Sequence, residues 1–127
     1  KRTVDFISEA GIDLPRFTVC TPYPRTPLYR KLEKEGRIIE RNWLMYDCQH
    51  VVFRPALMSP QELQQGHHWA WKQAYKLPAI AKRLARSKAS SYITLFTNLA
   101  YKRYVWALPR YTREVMTDLS DITGESR

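Results

Sequence analysis

Asp47 and His50 stand three positions apart, with Trp43, Tyr46 and Arg54 nearby in the chain. A carboxylate beside an imidazole can move a proton, because imidazole titrates near neutrality. Asp47, His50 and Arg54 are therefore candidate substrate-pocket residues, acting as an acid–base pair or orienting a substrate. The plainer reading is a hydrogen-bonded pair that fixes an irregular loop, and it is favoured. Cys48 lies between the two and could approach a metal or a substrate, although a buried, inert thiol is the commoner role. Cys20 and Cys48 allow one disulfide but no disulfide framework, and free thiols are expected. His67 and His68 are adjacent, so a helix would point them about 100° apart. They cannot easily share a metal, and zinc needs about four converging ligands. One is expected buried and the other exposed. No metal site and no complete catalytic set is expected within these residues.

The elements that must position these groups follow from pattern. Residues 2 to 10 read as a helix, with Val4, Ile7 and Ala10 near one face and Gly11 as its cap. Phe17 to Cys20 is short, apolar and β-prone, so a strand is expected at 16–20. Pro22, Pro24 and Pro27 follow and forbid regular pairing. Thr26 can cap a helix that Pro27 opens. That helix should run to about Glu35, with Leu28 and Leu32 inward and Gly36 as its stop. Residues 37–55 lack helical period and read as a hairpin-like segment with short strands at 37–40 and 50–53. Ser59-Pro60-Gln61-Glu62 is a capping box, opening a helix to about Lys76 with Leu63, His67, Ala70, Trp71 and Ala74 buried. Pro78 restarts a helix at 78–87, with Ile80 and Leu84 on one side and Lys82, Arg83 and Arg86 mostly elsewhere. A helix capped by Ser90 or Ser91 should bury Tyr92, Leu95, Phe96, Leu99 and Trp106 and end at Pro109. A short helix at 110–119 and a frayed end to Arg127 complete the expectation.

The chain of 127 residues has a formal net charge of +9, which bears on partners rather than on fold. Between Lys72 and Arg113 there is no Asp or Glu, while aromatic residues recur. An aromatic helical core with a solvated basic rim is the favoured reading. Peripheral contact with an anionic membrane surface comes next. Nucleic acid is disfavoured, because no RNA- or DNA-binding motif accompanies the charge. No stretch approaches the roughly 20 apolar residues of a membrane span, and no signal peptide is visible. A cytoplasmic location is expected, with the inner face of a membrane as an option.

The run Thr21-Pro22-Tyr23-Pro24-Arg25-Thr26-Pro27-Leu28-Tyr29 resembles the final strand and loop of radical S-adenosylmethionine (SAM) enzymes. The likeness continues through Trp43, Tyr46-Asp47, His50 to Pro55 and Met58 to Leu63, over roughly residues 1 to 85. It points to the C-terminal region of radical SAM proteins that carry a cobalamin-binding domain, a region often treated as a domain of unknown function. The resemblance implies an α+β, predominantly helical fragment. Residues 1–36 would be the last strand, loop and helix of an α/β barrel, and 37–127 a mainly helical C-terminal domain. In a barrel such loops face the active site. Thr21, Tyr23 and Arg25 then become candidate SAM- or substrate-binding residues, Tyr23 by stacking or hydrogen bonding and Thr21 through its hydroxyl or backbone. Arg25 replaces the family's usual glycine. The parent protein would use a [4Fe–4S] cluster and SAM to generate a 5′-deoxyadenosyl radical, with cobalamin as a further family cofactor. It would methylate or rearrange an unactivated carbon of a small-molecule or lipid substrate. The family's Cys-x-x-x-Cys-x-x-Cys is absent here, so this fragment should hold no cluster, and its partner is the rest of the parent chain. It would cap the barrel and shape the pocket without being catalytic alone. Lys1 begins within a helical pattern, in keeping with a fragment. The alternative is a non-catalytic basic helical module that binds a protein or an anionic membrane.

Overall fold

A computed structural model of the chain describes residues 1–87 and 91–123, with side chains left out for 91 and 114–123. Five α-helices account for most of it: α1 Arg2–Glu9, α2 Pro27–Lys34, α3 Pro60–Ala74, α4 Leu77–Arg86 and α5 Ser91–Thr123. A 3₁₀ turn occupies Trp43–Met45. The predominantly helical expectation holds, and its β part is corrected: among the described residues there is an isolated bridge and no regular strand.

Residues 16–20 do not form a strand. A strand needs a paired neighbour along its length, and here the Val19 N–H donates to the Cys48 carbonyl at 2.8 Å while the Phe17 carbonyl accepts from Trp71 Nε1 at 3.2 Å. The segment thus packs as extended chain. Within 37–55 the described pairing is one antiparallel bridge, Ile38 with Phe53. The Arg54 N–H donates to the Arg37 carbonyl at 2.8 Å and the Ile39 N–H to the Val52 carbonyl at 3.1 Å. The hairpin-like course is present without regular strands.

The helix boundaries follow local chemistry. Thr26 caps α2 by accepting from the Tyr29 N–H, and Pro27 opens it. Gly11 and Gly36 close α1 and α2 at φ of 66° and 64°, a region that glycine enters without penalty. The Ser59–Glu62 capping box opens α3 in both directions: the Ser59 N–H donates to Glu62 and the Glu62 N–H to Ser59 Oγ. The Ser59 N–H and the Ser59 hydroxyl, both donating to Glu62 Oε2, hold the Glu62 carboxyl below its ordinary range. In α2 the buried pair is Tyr29 and Leu32, not Leu28 and Leu32. Pro109 does not end the last helix. It lies inside α5, which runs on to Thr123. The expected cap at Ser90 and the fraying toward Arg127 fall outside the described residues.

The chain forms two compact units. Unit 1 comprises Lys1–Phe17 and His68–Tyr111, and unit 2 comprises Thr18–His67 and the chain from Thr112. The core of unit 1 gathers Trp71, Ala74, Tyr75, Ile80, Val105 and Leu108. Trp71 is its aromatic centre: Tyr75 and Tyr101 stack near it, while Phe17 and Tyr104 meet it edge-on. The core of unit 2 is smaller, with Tyr29, Met45, Tyr46 and Val52 packed against Ile38.

The face of α5 that turns inward is not the one its apolar residues mark. Thr94, Asn98, Val105 and Leu108 are buried, while Tyr92, Phe96 and Trp106 are 77–78% exposed and Leu95 and Leu99 are exposed as well. The reason lies in α4. Arg83, expected away from the core, is buried. A buried guanidinium needs polar partners. Its Nη2 donates to Asn98 Oδ1 at 2.7 Å, and its charge lies 5.0 Å from the centre of the Tyr75 ring. Asn98 in turn donates to the carbonyls of Thr94 and Asp13.

Candidate functional site

The residues singled out in the sequence come together in unit 2. Pro24 and Arg25 form the corner of a tight turn, closed by the Thr26 N–H donating to the Tyr23 carbonyl at 3.2 Å. Proline at the first corner position and positive φ at the second define a type II turn. Arg25 adopts φ of 64° there, the conformation a glycine would take. The Thr26 hydroxyl reinforces the turn by donating to the same carbonyl at 2.6 Å. Thr21 donates to the Val19 carbonyl, so its hydroxyl is engaged by its own loop. The side chains of Tyr23 and Arg25 are exposed.

This loop meets the Asp47–His50 segment. The Tyr23 hydroxyl lies 3.2 Å from Cys48 Sγ. The hydrogen bond with Cys48, helped by partial burial and by the charges of Cys48 and Asp47, pushes the Tyr23 hydroxyl above its ordinary value. At neutral pH it is a neutral donor and acceptor. Cys48 itself has φ of 63°, and both cysteines are free thiols.

Asp47 organises the turn that holds Cys48. Its Oδ1 accepts from the Gln49 N–H at 2.8 Å, the His50 N–H at 3.1 Å and His50 Nδ1 at 2.9 Å. His50 is only 2% exposed. The pair is bonded within its own loop, and Tyr23, Arg25 and Arg54 are the exposed candidates. Arg54 has an exposed side chain, and its backbone carbonyl accepts from Arg37 Nε at 2.8 Å.

Gln64 escaped the sequence reading. From α3 its Oε1 accepts from the Val51 N–H at 3.1 Å, and its Nε2 donates to the Gln49 carbonyl at 2.9 Å. It holds the 49–51 backbone as a strand neighbour would. No short-range signal marks it, because its partners lie 13 and 15 positions away.

No group of three or more His, Cys, Asp or Glu side chains is placed to hold a metal ion among the described residues. Cys20 is exposed and Cys48 half-buried against Tyr23, so the thiols here do not fit an iron–sulfur cluster, which draws on about four converging ligands. Likewise, no described helix is long and apolar enough to cross a membrane.

The domain of unknown function DUF4070 matches residues 26–114, from the turn through the Asp47–His50 pair to α5. The chain belongs to the DUF4070 family. This DUF4070 chain is 30% identical over 102 residues to bacteriochlorophyllide d C-12(1)-methyltransferase of Chlorobaculum tepidum, covering 80% of the chain and 22% of that protein. It is 27% identical over 104 residues to bacteriochlorophyllide d C-8(2)-methyltransferase of the same organism, covering 82% of the chain and 23% of that protein. The chain therefore spans less than a quarter of the length of the curated relatives it matches. No solved structure matches it.

Proposed function

We propose that this DUF4070 domain is the C-terminal part of a SAM-dependent methyltransferase of the radical type, where it walls the substrate site. The observation that carries this reading is the 30% identity, over 80% of the chain, to a protein named for methyl transfer to a bacteriochlorophyllide. The site geometry is compatible with it. A stiff proline-rich turn presents Tyr23, and the buried His50 with the half-buried Asp47 and Gln64 supports the segment behind it. Tyr23 would bind and orient a polar edge of SAM or of the substrate by hydrogen bonding or stacking, and the rigid loop would keep water from the reacting carbon. The cluster, with SAM, would supply the radical chemistry from cysteines outside these residues.

The test is made on the full-length polypeptide. Its upstream sequence is expected to contain Cys-x-x-x-Cys-x-x-Cys, and the reconstituted protein is expected to methylate a bacteriochlorophyllide-type macrocycle. Tyr23→Phe should lower kcat/KM about tenfold while leaving cluster content unchanged. An upstream sequence without the cysteine motif, or full activity in a protein lacking this domain, would overturn the reading. A second reading, a binding module for a protein or an anionic membrane, is favoured by one observation. The exposed stripe of Tyr92, Phe96 and Trp106 on α5 is accompanied by exposed Arg103 and Arg110.

A further inference from the structure

Unit 1 contains a cavity of about 620 Å³ where the end of α3, the start of α4 and the middle of α5 meet. Its volume falls within the range of small-molecule sites, roughly 300–1,000 Å³. The buried side chains of Tyr75 and Val105 lie at its base, and the exposed Trp106, Leu77 and Pro78 line its mouth. Pro109 and three lysines, Lys72, Lys76 and Lys102, complete the lining, and no Asp or Glu does so. None of the three lysines forms an ion pair with a described residue within reach of a salt bridge. Lys102 is half-buried, so its aliphatic stem lies along the apolar wall while its ammonium remains available. The start of α4 has no side-chain cap and no acidic residue in its first turn, which adds to the positive field at this edge.

An apolar hollow with unneutralised cations on its lining is complementary to one kind of molecule. We propose that this groove binds an amphiphilic anion, an apolar body carrying a carboxylate. The body covers Tyr75, Val105 and Trp106, and the carboxylate meets the lysine ammonium groups. The lysines act as point charges rather than as a planar fork, so they select charge and not the outline of the head group. A flat macrocyclic carboxylic acid and a straight-chain fatty acid share this chemistry. The inference goes beyond the proposed methyl transfer and needs no cluster, so either can fail while the other stands.

The experiment is direct binding to the purified chain, with protoporphyrin IX and palmitate as the two acids. Protoporphyrin dimethyl ester and hexadecanol are their uncharged counterparts. At least one acid is expected to bind with a Kd of about 10 µM, and its uncharged counterpart about tenfold more weakly. Which acid binds identifies the source. The Lys76→Gln/Lys102→Gln variant should lose about tenfold in affinity, and Trp106→Ala should weaken acid and neutral compound alike. These side chains lie at the surface or the mouth of the groove, and an unchanged circular dichroism spectrum verifies the fold of each variant. Three results would overturn the proposal: neither acid binding at about 1 mM, equal affinity for acid and neutral compound, or unchanged affinity in the lysine variant. Binding to phosphatidylglycerol vesicles with no binding of either free acid would also overturn it, because it would assign the charge to a membrane surface.

Discussion

Arg25 holds a backbone conformation that its own side chain disfavours by about 1–2 kcal/mol. The neighbours enforce it: Pro24 sets the first corner, and Thr26 ties back to the Tyr23 carbonyl through both its N–H and its hydroxyl. Arg25→Gly should therefore raise stability by about 0.5–1 kcal/mol, after allowing for the greater freedom of glycine in the unfolded chain. A urea titration reads this, and a loss of stability would refute the strained-turn account. Asp47 has the opposite character. Three donors converge on its Oδ1, so Asp47→Ala should cost about 2–3 kcal/mol, and a change below about 0.5 kcal/mol would contradict this role. Tyr75 adds a pH signature. Burial, aided by the neighbouring Tyr101 and opposed by Arg83 and Arg16, pushes its hydroxyl up to about 12. The unfolded chain releases this proton near pH 10. Between those values the unfolded state holds fewer protons, so the stability present below pH 10 falls as the pH rises toward 12. Unfolding of Tyr75→Phe, followed at pH 9 and pH 11, should lack this part of the decline. The type II turn was legible in the spacing of its prolines and in the familial glycine that Arg25 replaces. The contact between Tyr23 and Cys48 was not, because it joins positions 25 apart.

Helices were the most legible elements, since their ends carry chemical marks. Thr26 with Pro27, Ser59 with Glu62, and Gly36 each stand where the pattern placed them. The orientation of α5 was not legible. Periodicity shows which stripe of a helix is apolar, but not which stripe has a partner. Here Tyr92, Phe96 and Trp106 face solvent, and the inward stripe is mixed, with Asn98 bonded to the buried Arg83 and Val105 and Leu108 in the apolar core. Asn98→Ala should cost about 2–4 kcal/mol by leaving that guanidinium and two carbonyls without it. Tolerance of the change in a thermal melt would show that the polar seam does not anchor the helix. Pro109 tests the opposite effect. A proline inside a helix removes one backbone hydrogen bond and costs up to about 3 kcal/mol relative to alanine. Here α5 continues through it, with Val105 and Leu108 buried just before. Pro109→Ala should thus stabilise the protein by about 1–3 kcal/mol; destabilisation would mean that the ring packs too well to replace.

At the scale of the molecule, the opening segment belongs to unit 1 although the chain passes through unit 2 before returning. Three bonds fix it. Trp71 Nε1 donates to the Phe17 carbonyl at 3.2 Å, the Tyr75 hydroxyl to the Pro15 carbonyl at 2.9 Å and Asn98 Nδ2 to the Asp13 carbonyl at 3.2 Å. Removal of residues 1–17 should lower the urea midpoint and shift Trp71 emission to the red, and an unchanged midpoint would show the segment to be decoration. These long-range ties also explain why the strand expectation at 16–20 failed. The local sequence is β-prone, but the Phe17 carbonyl is taken by the Trp71 indole and the Val19 N–H by the Cys48 carbonyl of an irregular loop.

That arrangement has a consequence for biosynthesis. The backbone carbonyl of Asp13 is made 85 positions ahead of the Asn98 amide that donates to it. At about 5–20 residues per second, a ribosome leaves it waiting roughly 4–17 seconds. The docking place is assembled in stages, first when Trp71 and Tyr75 are made and then when Asn98 is made, and the nascent segment is a target for chaperones or proteases until the final helix emerges from the exit tunnel.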